Sequence, residues 1–268
     1  MKLELISRYP SAGAHHIPLL FVHGAWHGAW CWDVHFLDYF TRNGFAAHAV
    51  SLRGHGESEG RDNLRWTRIA DYVVDLAHAV RLLPCQPILI GHSMGAFVIQ
   101  KYLEEFSAPA AVLMTPPPPG GLLAATLRIA RRHPLIFARG NLMLSLFPLV
   151  STPGLAREAF FSSDMAEGQV MNFWQRMQDE SFMAFLDMLV LDLPDPGRVK
   201  TPFLVLGASR DNLLKPREIE ATAYACNTQS EFISGVAHDM MLEPGWEAVA
   251  RRILEWLKAQ ISVANAAT

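Results

Sequence analysis

The stretch "PILIGHSMGAFVIQ" (residues 87–100) decides the fold. Its apolar beginning predicts a short buried strand, and the spacing of apolar residues over 96–106 predicts a helix. Between them, Gly91-His-Ser-Met-Gly95 matches the G-x-S-x-G pattern of a nucleophile elbow. A turn this sharp strains the backbone at the serine and crowds its neighbours, so glycines are needed on both sides. The pattern predicts an accessible Ser93 hydroxyl, although taken alone it also fits a plain strand-to-helix turn.

The composition of the 268-residue chain indicates a globular protein with a large core. Hydrophobic residues make up 50% of the sequence and charged residues 18%, which is the balance of a folded chain rather than a disordered one. The length allows one large domain, or one domain with an insertion. The formal net charge is -3 and the basic residues form no cluster, so nucleic acids and strongly anionic substrates are not expected partners.

The cysteines and the N-terminal segment indicate where the protein works. Cys31, Cys85 and Cys226 are odd in number, far apart, and show neither metal-site nor disulfide spacing, which favours a reducing compartment. The first residues, "MKLELISRYP", have no apolar region of the kind that a signal peptide needs. No apolar run approaches the roughly 18 residues of a membrane span. We therefore expect a soluble, cytoplasmic protein.

Strands and helices alternate through the first half of the chain and again near its end. Apolar runs predict strands at 18–24, 46–52, 87–90, 110–114, 201–207 and 230–236. Helical periodicity predicts helices at 30–42, 66–83, 96–106, 164–178, 181–191, 216–226 and 245–260. Alternation of this kind, with continuous apolar strands, is typical of a mostly parallel sheet covered by helices on both faces. The predicted fold class is therefore α/β.

A proline-rich segment, "TPPPPGG" (115–121), interrupts this alternation, and the chain from there to about residue 198 shows no strand pattern. The prolines are interpreted as a rigid connection rather than as a recognition tract. A helical insertion in an α/β domain is expected to cover the carboxyl edge of the sheet, where ligands bind. We predict a core of residues 1–115 and 199–268 and a helical cap of residues 116–198.

His238 is the predicted base. A serine hydroxyl becomes a nucleophile only when a base lies within hydrogen-bond reach and a third group orients that base. His238, in "SGVAHDMMLEP", follows the last predicted strand, so its loop returns to the sheet edge that carries Ser93. His92 adjoins the serine, but successive side chains on a sharp turn diverge, which makes it the weaker candidate.

Asp211 is the predicted acid, because it lies in the turn-rich segment "GASRDNLLKP" after another predicted strand. Asp195 ends the predicted cap rather than a strand. Asp239 adjoins the base and is expected to face away from it. The predicted catalytic residues thus occur in the order Ser93, Asp211, His238.

Two backbone N–H groups are expected to form an oxyanion hole. Met94, directly after the nucleophile, supplies the first at the start of its helix. The loop "FVHGAWHGAWCW" supplies the second from Ala25, with Gly24 allowing the backbone to turn beneath the site. Backbone N–H groups stabilise an oxyanion without a cofactor.

His23 and His27 have the i, i+4 spacing of a helical metal site. The glycines around them argue against a helix, and no carboxylate accompanies them in the sequence. We therefore predict no metal, and the chemistry expected of Ser93 requires no organic cofactor.

Together these motifs resemble the α/β-hydrolase superfamily over essentially the full length of the chain. The stretch "HGAWHGAWCW" is particularly similar to the plant methylesterase and hydroxynitrile lyase branch and to its bacterial esterase relatives. The matching motifs are His23-Gly24-Ala25, "RGHGES" (53–58), "GHSMG" (91–95), Asp211 and "HDMMLEP" (238–244). The resemblance implies a Ser93–Asp211–His238 triad and oxyanion donors at Ala25 and Met94.

Two departures from this branch bear on the reaction. Its hydroxynitrile lyases have a threonine in place of Gly24 and a lysine directly after the catalytic histidine, where this chain has Asp239. A lysine would stabilise a departing cyanide and an aspartate would repel it, so lyase activity is disfavoured. Haloalkane dehalogenases and epoxide hydrolases of the same fold use an aspartate nucleophile, and Ser93 argues against both.

The expected activity is hydrolysis of small-to-medium hydrophobic carboxylic esters through an acyl-enzyme intermediate, with thioesters and amides less favoured. The predicted substrate-binding residues are Trp26, Phe147, Trp174 and Phe182. A small-molecule receptor that retains the triad and turns over slowly is the alternative, and a catalytically dead scaffold is a weaker one. The expected partner is a small-molecule ester, and the sequence leaves a homodimer open.

Overall fold

Seven strands form one sheet in a computed structural model of the chain, which describes residues 1–11, 13 and 15–266. The strands are β1 (Leu5–Arg8), β2 (Leu19–Val22), β3 (Ala47–Val50), β4 (Ile88–His92), β5 (Ala111–Met114), β6 (Phe203–Ala208) and β7 (Ser230–Ile233). Their order across the sheet is β1-β3-β2-β4-β5-β6-β7. β1 runs antiparallel to β3, and all other neighbours are parallel. The predicted α/β fold with a mostly parallel sheet is confirmed.

The inner strands are buried on both faces. Every residue of β2, β3, β4, β5 and β6 is buried, whereas β1 and β7 at the two edges are partly exposed. Continuous apolar strands of this kind require helices on both sides of the sheet. Two separate clusters of buried apolar side chains, one on each face, supply that cover.

Eleven α-helices lie in the described part of the chain. They are α1 (Trp30–Asp33), α2 (Phe36–Arg42), α3 (Ile69–Arg81), α4 (Met94–Tyr102), α5 (Leu123–Arg132), α6 (Pro134–Met143), α7 (Pro153–Phe160), α8 (Glu167–Trp174), α9 (Phe182–Leu186), α10 (Pro216–Ala225) and α11 (Trp246–Ala266). Short 3-10 helices occupy Arg61–Trp66, Phe147–Val150 and Pro196–Arg198, and one turn of π-helix occupies Asp187–Leu191.

The structure differs from the sequence-based elements in three places. β1 was not predicted, because its four residues contain only one pair of apolar neighbours and no alternation. The predicted helix 30–42 is divided into α1 and α2, because the backbone leaves the helical region at His35 (φ -142°). The predicted helix 181–191 ends at Leu186 and continues as the π-helical turn.

Helices α5 to α9 all lie between β5 and β6, and buried polar contacts fasten the end of this insertion to the rest of the molecule. Glu180 accepts a hydrogen bond from the Tyr72 hydroxyl at 2.7 Å, and its other carboxylate oxygen lies 3.0 Å from His55 Nε2. Asp187 pairs with Arg68 and accepts the backbone N–H of Ile69. The division of the chain into a core and a cap stays a prediction.

No helix within residues 1–11, 13 and 15–266 is both long enough and apolar enough to cross a membrane.

Candidate active site

Ser93 occupies the turn between β4 and α4 with φ 49° and ψ -117°, a strained conformation for a residue with a side chain. The two flanking glycines make this turn possible. A Cβ at Gly91 would lie 2.7 Å from the backbone of Gly95, and a Cβ at Gly95 would overlap the carbonyl oxygen of Val22. The close approach of α4 to β4 therefore requires glycine at 91, and its close approach to β2 requires glycine at 95.

Replacing Gly95 with alanine is expected to destabilise the protein by about 2 kcal/mol or more, because the new Cβ meets rigid backbone rather than a movable side chain. The change should lower the urea concentration at the midpoint of unfolding.

Gly168 is the matched control for this substitution. It lies in the exposed first turn of α8, and a Cβ there would have no neighbour within 4 Å. Gly168→Ala should therefore leave the unfolding midpoint unchanged or raise it slightly. Equal midpoints for Gly95→Ala and the wild type would contradict this account of the turn.

The structure brings Ser93, His238 and Asp211 together in one hydrogen-bonded chain. Ser93 Oγ lies 3.0 Å from His238 Nε2, and His238 Nδ1 lies 2.8 Å from Asp211 Oδ2. A carboxylate only accepts hydrogen bonds, so Nδ1 carries the proton. Nε2 of the neutral imidazole is then free to accept the proton of the serine hydroxyl.

Asp211 is oriented by its own loop, which connects β6 to α10. Its second oxygen, Oδ1, accepts the backbone N–H groups of Leu213 and Leu214 at 2.8 and 3.0 Å. Asp195 lies elsewhere, where it accepts the N–H of Gly197 at the start of a 3-10 helix. Of these two aspartates, only Asp211, the predicted acid, therefore reaches His238.

Burial and charge act on His238 in opposite directions. Burial alone would lower the pKa of its imidazole, but the charge of Asp211, the hydrogen bond to it and the charge of Asp239 raise the pKa above its ordinary value. Because a general base works in its neutral form, a raised pKa moves the acid limb of a pH–rate profile to higher pH.

Ala25 and Met94 place their backbones beside Ser93. Met94 begins α4, so its N–H has no acceptor within that helix. Gly24 lies so close to the elbow that a Cβ there would be 2.6 Å from His92 Nδ1 and 3.2 Å from Ser93 Cβ. The arrangement holds the early loop and the elbow in direct contact, as two converging oxyanion donors require.

The chain matches the sequence model of the alpha/beta hydrolase family over residues 19–252. It belongs to this family. A protein of Arabidopsis thaliana that carries the name methylesterase 15, chloroplastic, is 34% identical over 101 residues. These residues make up 37% of this chain and 22% of that protein, so the match spans less than a quarter of the relative. The predicted resemblance to the superfamily is confirmed.

Two solved structures show how general this fold is. One is BpoC of Mycobacterium tuberculosis H37Rv, named as a non-heme bromoperoxidase, with a TM-score of 0.77 and 21% identity over 97% of each chain. The other is the monoacylglycerol lipase of Paleococcus ferrophilus, with a TM-score of 0.73 and 20% identity over 97% of this chain and 100% of that one. Likeness at these identities concerns the fold and not the substrate.

An apolar cavity of about 90 Å³ lies above Ser93 in this α/β hydrolase. Its polar groups are few, chiefly the Ser93 and Thr126 hydroxyls and the His238 imidazole. The remaining walls come from Ala25, Trp26, Met94, Pro117, Leu122, Ala125, Ile129, Leu146, Leu149, Phe185, Met188, Leu213 and Leu214. Most of these residues belong to the insertion or to the loops at the carboxyl edge of the sheet, so the cavity lies where ligands bind in α/β folds.

A second cavity of about 150 Å³ continues from the first and is more polar. The two share Trp26, Ile129, Leu149 and Leu213. Beyond these residues the second cavity has a mixed lining: six side chains are charged or polar (Arg128, Arg132, His133, Glu158, Asn212 and Lys215), and five are apolar (Ile136, Val150, Leu155, Ala159 and Phe160). A substrate that reaches Ser93 from this side would cross a mixed chamber before an apolar one.

Of the four predicted substrate-binding residues, only Trp26 lines the cavities. Its indole N–H donates to the Leu146 carbonyl at 3.3 Å, which joins the early loop to the insertion. Phe147 and Trp174 instead pack against the main apolar cluster, and Trp174 donates to the Val150 carbonyl. Phe182 is buried against Phe185. These three rings lie outside the two cavities, and Leu146, Leu149, Phe185 and Met188 line the inner cavity with Ser93.

His23 is part of the framework beneath the site. Its Nε2 accepts the backbone N–H of Leu52 at 3.0 Å, and its Nδ1 donates to the Gly24 carbonyl at 2.8 Å. This pattern requires a neutral imidazole, in agreement with a pKa that burial and the nearby His55 lower well below the ordinary value. Within the described residues, no three histidine, cysteine or acidic side chains are grouped as a metal site would need.

Proposed function

We propose that this α/β hydrolase is a serine carboxylic ester hydrolase that acts through an acyl-enzyme intermediate. The observation that carries the proposal is the hydrogen-bonded chain from Ser93 Oγ through His238 to Asp211 at the floor of an apolar cavity. A serine paired with a base, and a base paired with a carboxylate, form the machinery of acyl transfer.

In the first half of the proposed reaction, Ser93 Oγ attacks the ester carbonyl carbon while His238 Nε2 takes the hydroxyl proton. The N–H groups of Ala25 and Met94 stabilise the oxyanion of the tetrahedral intermediate. His238 then gives its proton to the departing alkoxide, and an acyl group remains on Ser93. Asp211 keeps the imidazole in the required tautomer and stabilises its cation.

In the second half, His238 takes a proton from a water molecule, which attacks the acyl carbonyl. Collapse of the second tetrahedral intermediate returns the proton to Ser93 and releases the carboxylic acid. Helices α5 to α9 act as a cap that excludes bulk water from these steps and supplies most of the apolar wall. The partial match to the protein named as a methylesterase supports an ester substrate.

The volume of the inner cavity sets the size of the preferred acyl group. A cavity of about 150 Å³ holds a benzene molecule, and the cavity above Ser93 measures about 90 Å³. It therefore suits an acetyl to butanoyl group. The wider, more polar second cavity leaves room for the alcohol portion of the ester.

Among p-nitrophenyl esters, acetate and butanoate should be hydrolysed with kcat/KM at least about tenfold above that of decanoate, because a decanoyl chain must force the packed walls apart. A series of these esters assayed at pH 8 tests both the reaction and the pocket. Fast turnover of the short esters is the expected result. Binding of the esters without turnover would overturn the hydrolase proposal in favour of a receptor.

Leu146→Ala should shift the preference toward longer acyl chains, because Leu146 lines the inner cavity and is buried. Leu142→Ala is the matched control, since this leucine of α6 is 87% exposed. It should leave the chain-length profile unchanged. An identical profile in both variants would contradict the assignment of this cavity to the acyl group.

A further inference from the structure

A second histidine–carboxylate pair lies directly behind His238 and has no place in the proposed reaction. His27 Nε2 is 2.9 Å from Asp239 Oδ2, and both side chains are completely buried. Asp211 and not Asp239 bonds His238, and the partner of Asp239 lies 212 positions earlier in the chain. A buried ion pair is costly to dehydrate and is therefore weak evidence for stability alone.

The atoms that contact the two ring nitrogens of His27 indicate the protonation state of its imidazole. Nδ1 lies 2.7 Å from the carbonyl oxygen of Ala25, and Nε2 faces the Asp239 carboxylate. The Ala25 carbonyl can only accept, so Nδ1 carries a proton, and the ionised Asp239 carboxylate beside Nε2 favours a proton on that nitrogen as well, which makes His27 an imidazolium. Burial alone would lower the pKa of His27, but the charge of Asp239 raises it above the ordinary value. The contacts of His27 and the direction of its pKa shift both favour the charged form.

The pair connects two parts of the proposed catalytic machinery. At one end, His27 holds the carbonyl of Ala25, the residue whose N–H is a proposed oxyanion donor. At the other end, Asp239 directly follows His238, and its own N–H donates to the Phe160 carbonyl at 3.1 Å. If His27 moved, the loop that carries the Ala25 N–H would move with it, and if Asp239 moved, so would the adjoining His238.

The other groups around Asp239 leave His27 as its counter-ion. His92 Nε2 donates to the His238 carbonyl at 3.0 Å and lies 3.7 Å from Asp239 Oδ1, and burial lowers the pKa of His92 to about 3. Burial raises the pKa of both the Glu243 carboxyl and the Cys31 thiol, which favours their neutral forms, and neither group can carry a positive charge. Among the described residues, His27 Nε2 and both Asp239 oxygens have no well-directed hydrogen bond, so the 2.9 Å contact between them is an ion pair.

We propose that His27 and Asp239 form a positioning pair, a buried imidazolium–carboxylate bridge that fixes the Ala25 loop against the His238 loop and stabilises the charged form of His238 during the reaction. The inference rests on the proposed ester hydrolysis. Asp239 supplies negative charge behind the imidazole, on the side opposite the substrate, while Asp211 supplies it through Nδ1.

The test is the pH dependence of ester hydrolysis in Asp239→Asn. This variant removes the carboxylate charge, and the buried His27 then loses its proton as well. The acid limb of the kcat profile should move to lower pH by up to about one unit, because the Asp239 charge raises the pKa of His238 and the simultaneous loss of the His27 charge offsets only part of that effect. At pH 8 kcat should fall about 10- to 100-fold with KM little changed, because the two loops are no longer held in register.

Glu180→Gln is the matched control. Glu180 pairs with His55, an equally buried histidine whose Nδ1 donates to the Arg53 carbonyl, so the two pairs have the same construction. The Glu180 pair fastens the insertion and does not adjoin His238. Its neutralisation should lower the unfolding midpoint without moving the acid limb. Equal shifts of the limb in both variants would overturn the inference.

A measurement on the wild type makes the inference independent of how well the variants fold. Nitrogen NMR of histidine-labelled protein at pH 7 should show both ring nitrogens of His27 protonated and His23 neutral. A neutral His27 would overturn the inference. Absence of ester hydrolysis by the wild type would instead overturn the proposed function, and wild-type hydrolysis with an unchanged Asp239→Asn profile would overturn the positioning role alone.

Discussion

Replacing Ser93 with alanine is expected to reduce kcat for p-nitrophenyl butanoate by about 10⁶-fold, because the acyl-enzyme cannot form without the hydroxyl. Alanine keeps the Cβ of serine, so the strained conformation at φ 49° is the same in both proteins. The substitution thus removes one oxygen atom and leaves the turn intact. The residual rate above that of water measures what the oxyanion donors and binding contribute.

Ser163→Ala is the control for this substitution, because Ser163 is exposed and its hydroxyl contacts only the neighbouring Asp164. It should hydrolyse the ester at the wild-type rate. The two variants should also unfold at the same urea concentration as the wild type. A Ser93→Ala protein that retains more than a small fraction of the activity would exclude the serine mechanism.

Asp211→Asn should lower kcat by about 10⁴-fold with little change in KM. The Asp211 carboxylate accepts from His238 through one oxygen and from the N–H groups of Leu213 and Leu214 through the other. An asparagine whose oxygen keeps the two backbone bonds must turn its NH2 group toward His238 Nδ1. Nδ1 then becomes an acceptor, the proton moves to Nε2, and the imidazole can no longer deprotonate Ser93.

Asp195→Asn provides the comparison, since Asp195 is the other aspartate with a similar sequence context, and it caps a surface 3-10 helix. Its kcat should equal that of the wild type. Steady-state kinetics of the two variants side by side would decide the assignment. Loss of activity in Asp195→Asn, or its retention in Asp211→Asn, would contradict it.

Local sequence patterns were sufficient to predict the elements that carry the site. Gly91 and Gly95 are informative because steric crowding at a strand-to-helix turn leaves no other residue. Ser93, Asp211 and His238 could be placed at one sheet edge because each follows a strand of a parallel sheet, and the carboxyl ends of such strands share an edge. The physical constraint in each case acts over a few residues.

Features that depend on tertiary packing could not be predicted in this way. Phe147, Trp174 and Phe182 have the composition of pocket walls, but an apolar ring serves equally well between two helices. The pairing of His27 with Asp239, and of His55 with Glu180, joins residues far apart in the chain, and a histidine shows no sign of its counter-ion in its neighbours. Such pairs become visible only when burial and distance are known.

Different parts of the insertion carry the buried contacts that attach it and most of the residues that line the inner cavity. Residues 178–187 carry buried polar anchors, including Glu180 and Asp187, while residues 123–149 contribute five of the nine residues between 116 and 198 that line the inner cavity. Grafting a foreign 123–149 segment that keeps Arg128, which binds Glu218, would therefore change the pocket while the Glu180 and Asp187 contacts remain. Changes in one contiguous stretch of the gene can then alter which substrates the enzyme accepts, while the residues that carry out the reaction stay the same.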